Sequence, residues 1–132
     1  MSNALTASEM SRQIRNGIPK PNRIMAPVWW YGGKGRLCQW IVSQIPLGNI
    51  YVEPYSGAAS IFWHLKPRPV EILNDLNEEI INLWRVLKDS GQFEQLAHRL
   101  NWTQYSMAEF RRALADEIAD PIALAWAFFV RQ

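Results

Sequence analysis

The chain has 132 residues, 48% of them hydrophobic, and a formal net charge of +2. That length fits one domain with a buried core and excludes both a disordered tail and a mini-protein that needs staples. One cysteine, Cys38, rules out an internal disulfide framework, and the opening residues hold no apolar core of the kind a signal peptide carries. The longest apolar run, Ile122 to Val130, falls well short of the roughly 20 residues of a membrane-spanning helix, so a cytoplasmic protein that spans no membrane is expected.

Charge is unevenly placed. Up to Ile50 there are six basic residues (Arg12, Arg15, Lys20, Arg23, Lys34, Arg36) against Glu9, a balance of +5, which leaves −3 for the remainder. Residues 1–26 hold Gly17, Pro19 and Pro21 among Ser, Asn, Arg and Lys, the composition of an extended arm. Such an arm suits phosphate contacts and equally suits a solvated tail. The cluster Val28-Trp29-Trp30-Tyr31-Gly32-Gly33-Lys34-Gly35-Arg36 follows, and then Leu37, Trp40, Ile41 and Ile45 at helical spacing up to Pro46, which predicts a helix over 35–44. Gly32-Gly33-Lys34 is not a phosphate-binding P-loop, because Val28 and Gly35 stand where that pattern requires a glycine and a Ser or Thr.

The stretch Tyr51 to Trp63 organises the rest. Ile50 to Val52 favour a strand, Glu53-Pro54 ends it, and Gly57, Ala58, Ala59 and Ser60 form a small-residue turn before an apolar helix through Ile61, Phe62, Trp63 and Leu65 that Pro67 closes. Unshielded N–H groups at such a turn can lie against a nucleotide-like ligand; the same small residues also serve the close packing of any buried βα unit. Val70 to Leu73 predicts a second strand, ending at Asn74-Asp75. Asp75, 18 residues after Gly57, holds the place where nucleotide-binding βαβ units put an acid for ribose hydroxyls, although a helix-capping role fits it too.

From Asn77 the pattern is helical. Asn77 reads as a cap, with Glu78 and Glu79 in the first turn and Ile80, Ile81, Leu83, Trp84 and Leu87 as the buried stripe. Phe93, Leu96, Ala97 and Leu100 mark another stripe, Ser106 with Glu109 a capping box, and Asp120-Pro121 the start of a last helix that is apolar nearly all round. His64 and His98 stand alone, without metal-ligand spacing, and no Ser-His-Asp set is visible. An exposed sheet edge and an exposed last helix are expected to make the chain self-associate.

Trp30-Tyr31-Gly32-Gly33-Lys34, then Val52 to Ala59, then Ile72-Leu73-Asn74-Asp75-Leu76-Asn77 before an apolar helix, resemble in order and spacing the Dam-like family of adenine-specific DNA methyltransferases. Trp102 to Ser106, with Glu109-Phe110, resembles that family's helical region ahead of its catalytic motif, so the likeness covers roughly residues 27–132. It implies an α/β fold, Rossmann-like and S-adenosylmethionine-dependent, here incomplete. The implied division is a basic arm over 1–26, a partial cofactor-binding domain over 27–88, and the start of a helical target-recognition region over 89–132.

By the same resemblance Trp30, Tyr31 and Lys34 lie at the cofactor, Glu53, Pro54, Tyr55, Gly57 and Ala59 form the loop beneath it, and Asp75 takes the ribose. A lysine suits the methionine carboxylate and a carboxylate suits a vicinal diol. Ala59 departs from a second glycine common in the family. The larger departure is that the family's Asp-Pro-Pro-Tyr, which holds the flipped adenine, occurs nowhere in the 132 residues, so no catalytic residue is assigned and the chain alone is expected to be inactive. Double-stranded DNA, S-adenosylmethionine and a complementing chain are the implied partners, and a non-catalytic module that binds the cofactor or DNA is the alternative.

Overall fold

A computed structural model describes residues 25–115 and 118–132. Most of the predicted arm, residues 1–24, therefore lies outside the described residues. In order come α1 (Cys38–Gln44), β1 (Ile50–Glu53), a 3-10 turn (Phe62–His64), β2 (Val70–Leu73), α2 (Glu78–Lys88), α3 (Ser90–Asn101), α4 (Met107–Ala113) and α5 (Pro121–Val130).

The two strands pair in parallel, with Ile50 opposite Val70 and Val52 opposite Ile72. The crossover between them holds the small-residue turn. The apolar helix expected from Ile61 to Pro67 is instead one 3-10 turn, Phe62–His64. Two restrictions leave no room for a longer α-helix. Pro67 biases Lys66 away from helical backbone, and Ala59 upstream sits at φ +52°, in the left-handed region. The first helix is also shorter than expected, since Gly35 to Leu37 form a turn and α1 opens at Cys38.

The caps fall where the sequence puts them. Asn77 Oδ1 accepts from the N–H groups of Glu79 and Ile80, and Asp120 Oδ2 accepts from Ala123 N–H at 2.7 Å, ahead of Pro121. Ser106 Oγ accepts from Glu109 N–H, while the Glu109 carboxylate pairs with Arg112 at 2.9 Å.

Two hydrophobic clusters result. The larger joins Ile80, Leu83 and Val86 of α2, Leu96 of α3, Ala113 of α4 and Ala125 to Phe128 of α5, with Val28 and Ala58 added from the front of the chain. The smaller joins Cys38, Tyr51 and Ile61. Helix α5 is the hub, packed on α2, α3 and α4. That corrects the expectation of an exposed last helix: a segment apolar on every side is stable only where neighbours surround it, and Ala125 and Ala127 let them approach closely. Trp126 satisfies its indole N–H on Thr103 Oγ1 at 2.7 Å, and the Arg99 guanidinium lies 4.4 Å from its ring centroid. The outward side chains of the sheet, Ile50, Val52, Val70 and Ile72, are all exposed. Among the described residues no helix is long and apolar enough to cross a membrane.

Candidate cofactor site

The turn after β1 is stitched to the end of β2. Asn74 N–H donates to Glu53 O at 3.0 Å, Ser56 N–H donates to Asn74 O at 2.9 Å, and the Asn74 amide reaches Pro54 O. Asp75 adds the brace that fixes the turn's tip: its Oδ2 accepts from Gly57 N–H at 2.8 Å, and its Oδ1 accepts from Asn77 N–H at 3.0 Å. One carboxylate thus ties the small-residue turn to the entry of α2. Each oxygen keeps a lone pair for a further donor, so the brace leaves acceptor capacity for a diol.

Among the glycines of the described residues, Gly57 permits the closest approach. It sits at φ +46°, and a Cβ there would meet the Trp30 indole at 2.5 Å. Trp30 is in turn held 6.2 Å, centroid to centroid, from Phe128 of α5. The Trp30-to-Lys34 segment folds back on itself through Gly33 N–H to Trp30 O at 2.9 Å, and Lys34 Nζ donates to Gly32 O at 2.7 Å.

These pieces enclose a cavity of about 200 Å3. Of the residues singled out by sequence, Trp30, Tyr31, Lys34, Glu53, Tyr55 and Gly57 line it. Pro54, Ala59 and Asp75 are not in its lining; Ala59 is fully buried beneath, and Asp75 acts on the cavity through Gly57. Gly32, Gly33, Ser56, Ala58 and Ser60 also line the cavity; all lie within the motifs or the small-residue turn, but none carries a role of its own from the sequence. Ser56 is the informative one. Its Oγ is buried without a hydrogen-bond partner, a condition shared among the described residues only by the Trp63 and Trp84 indole nitrogens, which lie outside this lining. A buried hydroxyl left unpaired costs about 1–3 kcal/mol, so a ligand that bonds it recovers that cost.

Electrostatically the cavity pairs one cation with one acid. Burial pushes the Glu53 carboxyl above its ordinary range, and hydrogen bonds from Tyr51 and from the Phe62 N–H partly oppose that rise. Tyr51 itself is pushed far above the usual phenol range, first by burial and then by the Glu53 charge.

A larger cavity, about 450 Å3, lies between α3, α4 and α5 beside Arg99, Trp102 and Arg112. Several of its polar groups already have partners: Arg112 is paired with Glu109, Arg99 stacks on Trp126, and Thr103 accepts from Trp126. Convergent groups with unmet bonding mark the smaller cavity as the better ligand site. His64 Nδ1 donates to Ser60 O at 2.8 Å, a structural position, and no cluster of three metal-ligating side chains occurs among the described residues.

Comparison with known proteins identifies the family. The model of the D12 class N6 adenine-specific DNA methyltransferases matches residues 30–113. A DNA adenine methylase of Escherichia coli strain K12 is 31% identical over 75% of this chain and 37% of its own length. A DNA N-6-adenine-methyltransferase of Escherichia phage P1 is 29% identical over 75% of this chain and 14% of its own. A type II methyltransferase of Lactococcus lactis is 37% identical over 48% of this chain and 22% of its own. The chain thus spans well under half the length of these relatives. A family match running from the first cavity residue, Trp30, through both strands to the end of α4 shows that the chain belongs to the D12 class of N6 adenine-specific DNA methyltransferases.

Proposed function

We propose that this chain is the cofactor-holding part of an enzyme that transfers a methyl group from S-adenosylmethionine to the exocyclic amine of adenine in double-stranded DNA. The observation that carries this reading is the convergence of Trp30 to Lys34 and Glu53 to Gly57, 19 or more residues apart in sequence, on one cavity with an unpaired buried hydroxyl.

The residues present fit the cofactor. Its amino-acid end carries a carboxylate and an ammonium, and the cavity supplies Lys34 for one and Glu53 for the other. Its ribose diol suits the free lone pairs of Asp75, and the Trp30 indole offers an aromatic surface. At about 200 Å3 the cavity encloses only part of such a molecule, since sites for ligands of that size run to roughly 300–1,000 Å3; the remainder would lie along the open turn. When bound, the cofactor supplies the methyl group. This chain's part is to orient it: Lys34 and Glu53 fix one end, Asp75 the other, and Gly57 lets the Trp30 indole close against the turn.

The sheet, two parallel strands with an uncovered apolar face, is read as part of a Rossmann-like sheet whose other strands lie in the remainder of the domain. The division into a cofactor-binding part over 27–88 and the start of a target-recognition region over 89–132 belongs to the same proposal. Because Asp-Pro-Pro-Tyr occurs nowhere in the 132 residues, the chain alone should not methylate DNA. Calorimetric titration with S-adenosylmethionine tests the reading. Asp75→Ala should weaken binding about 10- to 100-fold, from hydrogen bonds to a charged group worth roughly 1.5–3 kcal/mol. Unchanged affinity in a folded variant would remove Asp75 from the site.

A further inference from the structure

Tyr51 lies two residues before Glu53 on β1, 9% exposed, in the small cluster with Cys38 and Ile61. A phenylalanine would fill that space without a hydroxyl to satisfy, so the phenol calls for a polar partner. Alternate residues of a strand share a face, and the partner two positions on is Glu53, whose Oε2 accepts from Tyr51 Oη at 3.1 Å. The Phe62 N–H of the 3-10 turn also favours the ionised form of that carboxylate. Glu53 in turn lines the cavity that contains Lys34 and the unpartnered Ser56 hydroxyl.

We propose that Tyr51 is a positioning residue for ligand recognition: its hydroxyl holds the Glu53 carboxylate as the partner of the ligand's ammonium group, while Lys34 takes the ligand's carboxylate. The pair would thereby read the zwitterionic amino-acid end, and the inference rests on the cofactor reading above. It gives Tyr51 a function that the family likeness does not supply, since no motif residue covers it.

The groups around Glu53 set how the inference can be read out. Lys34, Tyr31 and Tyr55 line the same cavity, the Arg68 guanidinium lies 5.8 Å from the Tyr51 ring centroid, and Asp75 is bonded to Gly57 below. Burial raises the Glu53 pKa, while the Tyr51 and Phe62 donors lower it. Removing the Tyr51 hydroxyl takes away one of the two opposing donors, so Glu53 becomes a weaker acid. An ammonium group binds only the ionised carboxylate, so affinity is lost on the acid side and largely kept at higher pH.

The experiment uses the full chain and its Tyr51→Phe variant, titrated with S-adenosylmethionine by calorimetry across pH, alongside carbon-13 NMR titration of the Glu53 carboxyl without ligand. The expected result is that the acid limb of binding and the Glu53 midpoint both move up by about one pH unit in Tyr51→Phe, the size set by a hydrogen bond to a charged group. Glu53→Gln should abolish the limb and make Tyr51→Phe independent of pH. A role in packing alone would lower affinity equally at every pH, and that result, or an unmoved Glu53 midpoint, overturns the inference. Binding with superimposable pH profiles would overturn it while leaving the cofactor reading intact; a wild-type chain that takes no S-adenosylmethionine would overturn both.

Discussion

Leu83 on α2 and Val52 on β1 are both aliphatic, yet Leu83 is 0% exposed and Val52 is 51% exposed. The contrast holds across their surroundings. Helices α2 to α5 close over one another around α5, whereas the two-stranded sheet has packing on the Tyr51 side and open apolar side chains on the other. Parallel sheets ordinarily carry cover on both faces, whereas here the helical part holds the fold and one face of the sheet is open. The candidate cavity lies at the seam, with Trp30 leaning on Phe128 of the helical core and Glu53 rising from the sheet.

The comparison breaks most readily at the hub. Trp126→Ala removes a buried indole, its hydrogen bond to Thr103 and its contact with Arg99, and should cost about 3–5 kcal/mol in denaturant melts. An equal loss from any single sheet residue would mean that stability is not concentrated in the helices. At the seam, Gly57→Ala places a methyl group against the Trp30 indole at positive φ and should cost about 1–3 kcal/mol, together with a measurable loss of cofactor affinity. Affinity retained at full strength would separate the turn from the site.

On the sheet side the effects shrink. Because the Glu53 pKa is raised in the folded chain, its favourable contribution is complete below the unfolded value of 4.5 and is lost as pH rises through the raised pKa. Glu53→Gln should therefore raise Tm at neutral pH by no more than a few degrees, and the gain should vanish toward acid pH; thermal melts across pH check the sign. Smallest in stability is Val52→Thr combined with Ile72→Thr, within about 0.5 kcal/mol because both side chains are exposed. The same change should reduce self-association seen by light scattering, since the open face is the surface that would mediate it. A wild-type chain that stays monomeric would contradict that role for the face.

Much of this contrast was legible in the sequence. Both strands, the caps at Asn77 and Asp120, and the stripe on α2 followed from local chemistry, which short-range hydrogen bonds and periodicity decide. The helix expected after the turn failed because Ile61 to Leu65 has the right apolar content but too little length between Ala59 and Pro67. The last helix was read as apolar on all sides, but which neighbours bury it depends on contacts distant in sequence. At the site, glycines and motif residues led to Trp30, Lys34 and Gly57. Ser56 carried no signal, because a serine in a turn is ordinary and only its burial without a partner singles it out. Asp75 was read as a ribose acceptor or a cap, and its bond to Gly57 became visible only once β2 lay beside β1.

The most direct test of the seam as the ligand site is to follow backbone amide resonances of the full chain while S-adenosylmethionine is added. Shifts confined to Trp30 to Lys34, Glu53 to Ser60 and the neighbourhood of Asp75, with the Arg99-to-Arg112 surface unmoved, are the expected result. Shifts centred on Trp102 and Arg112, or no shifts at all, would contradict it.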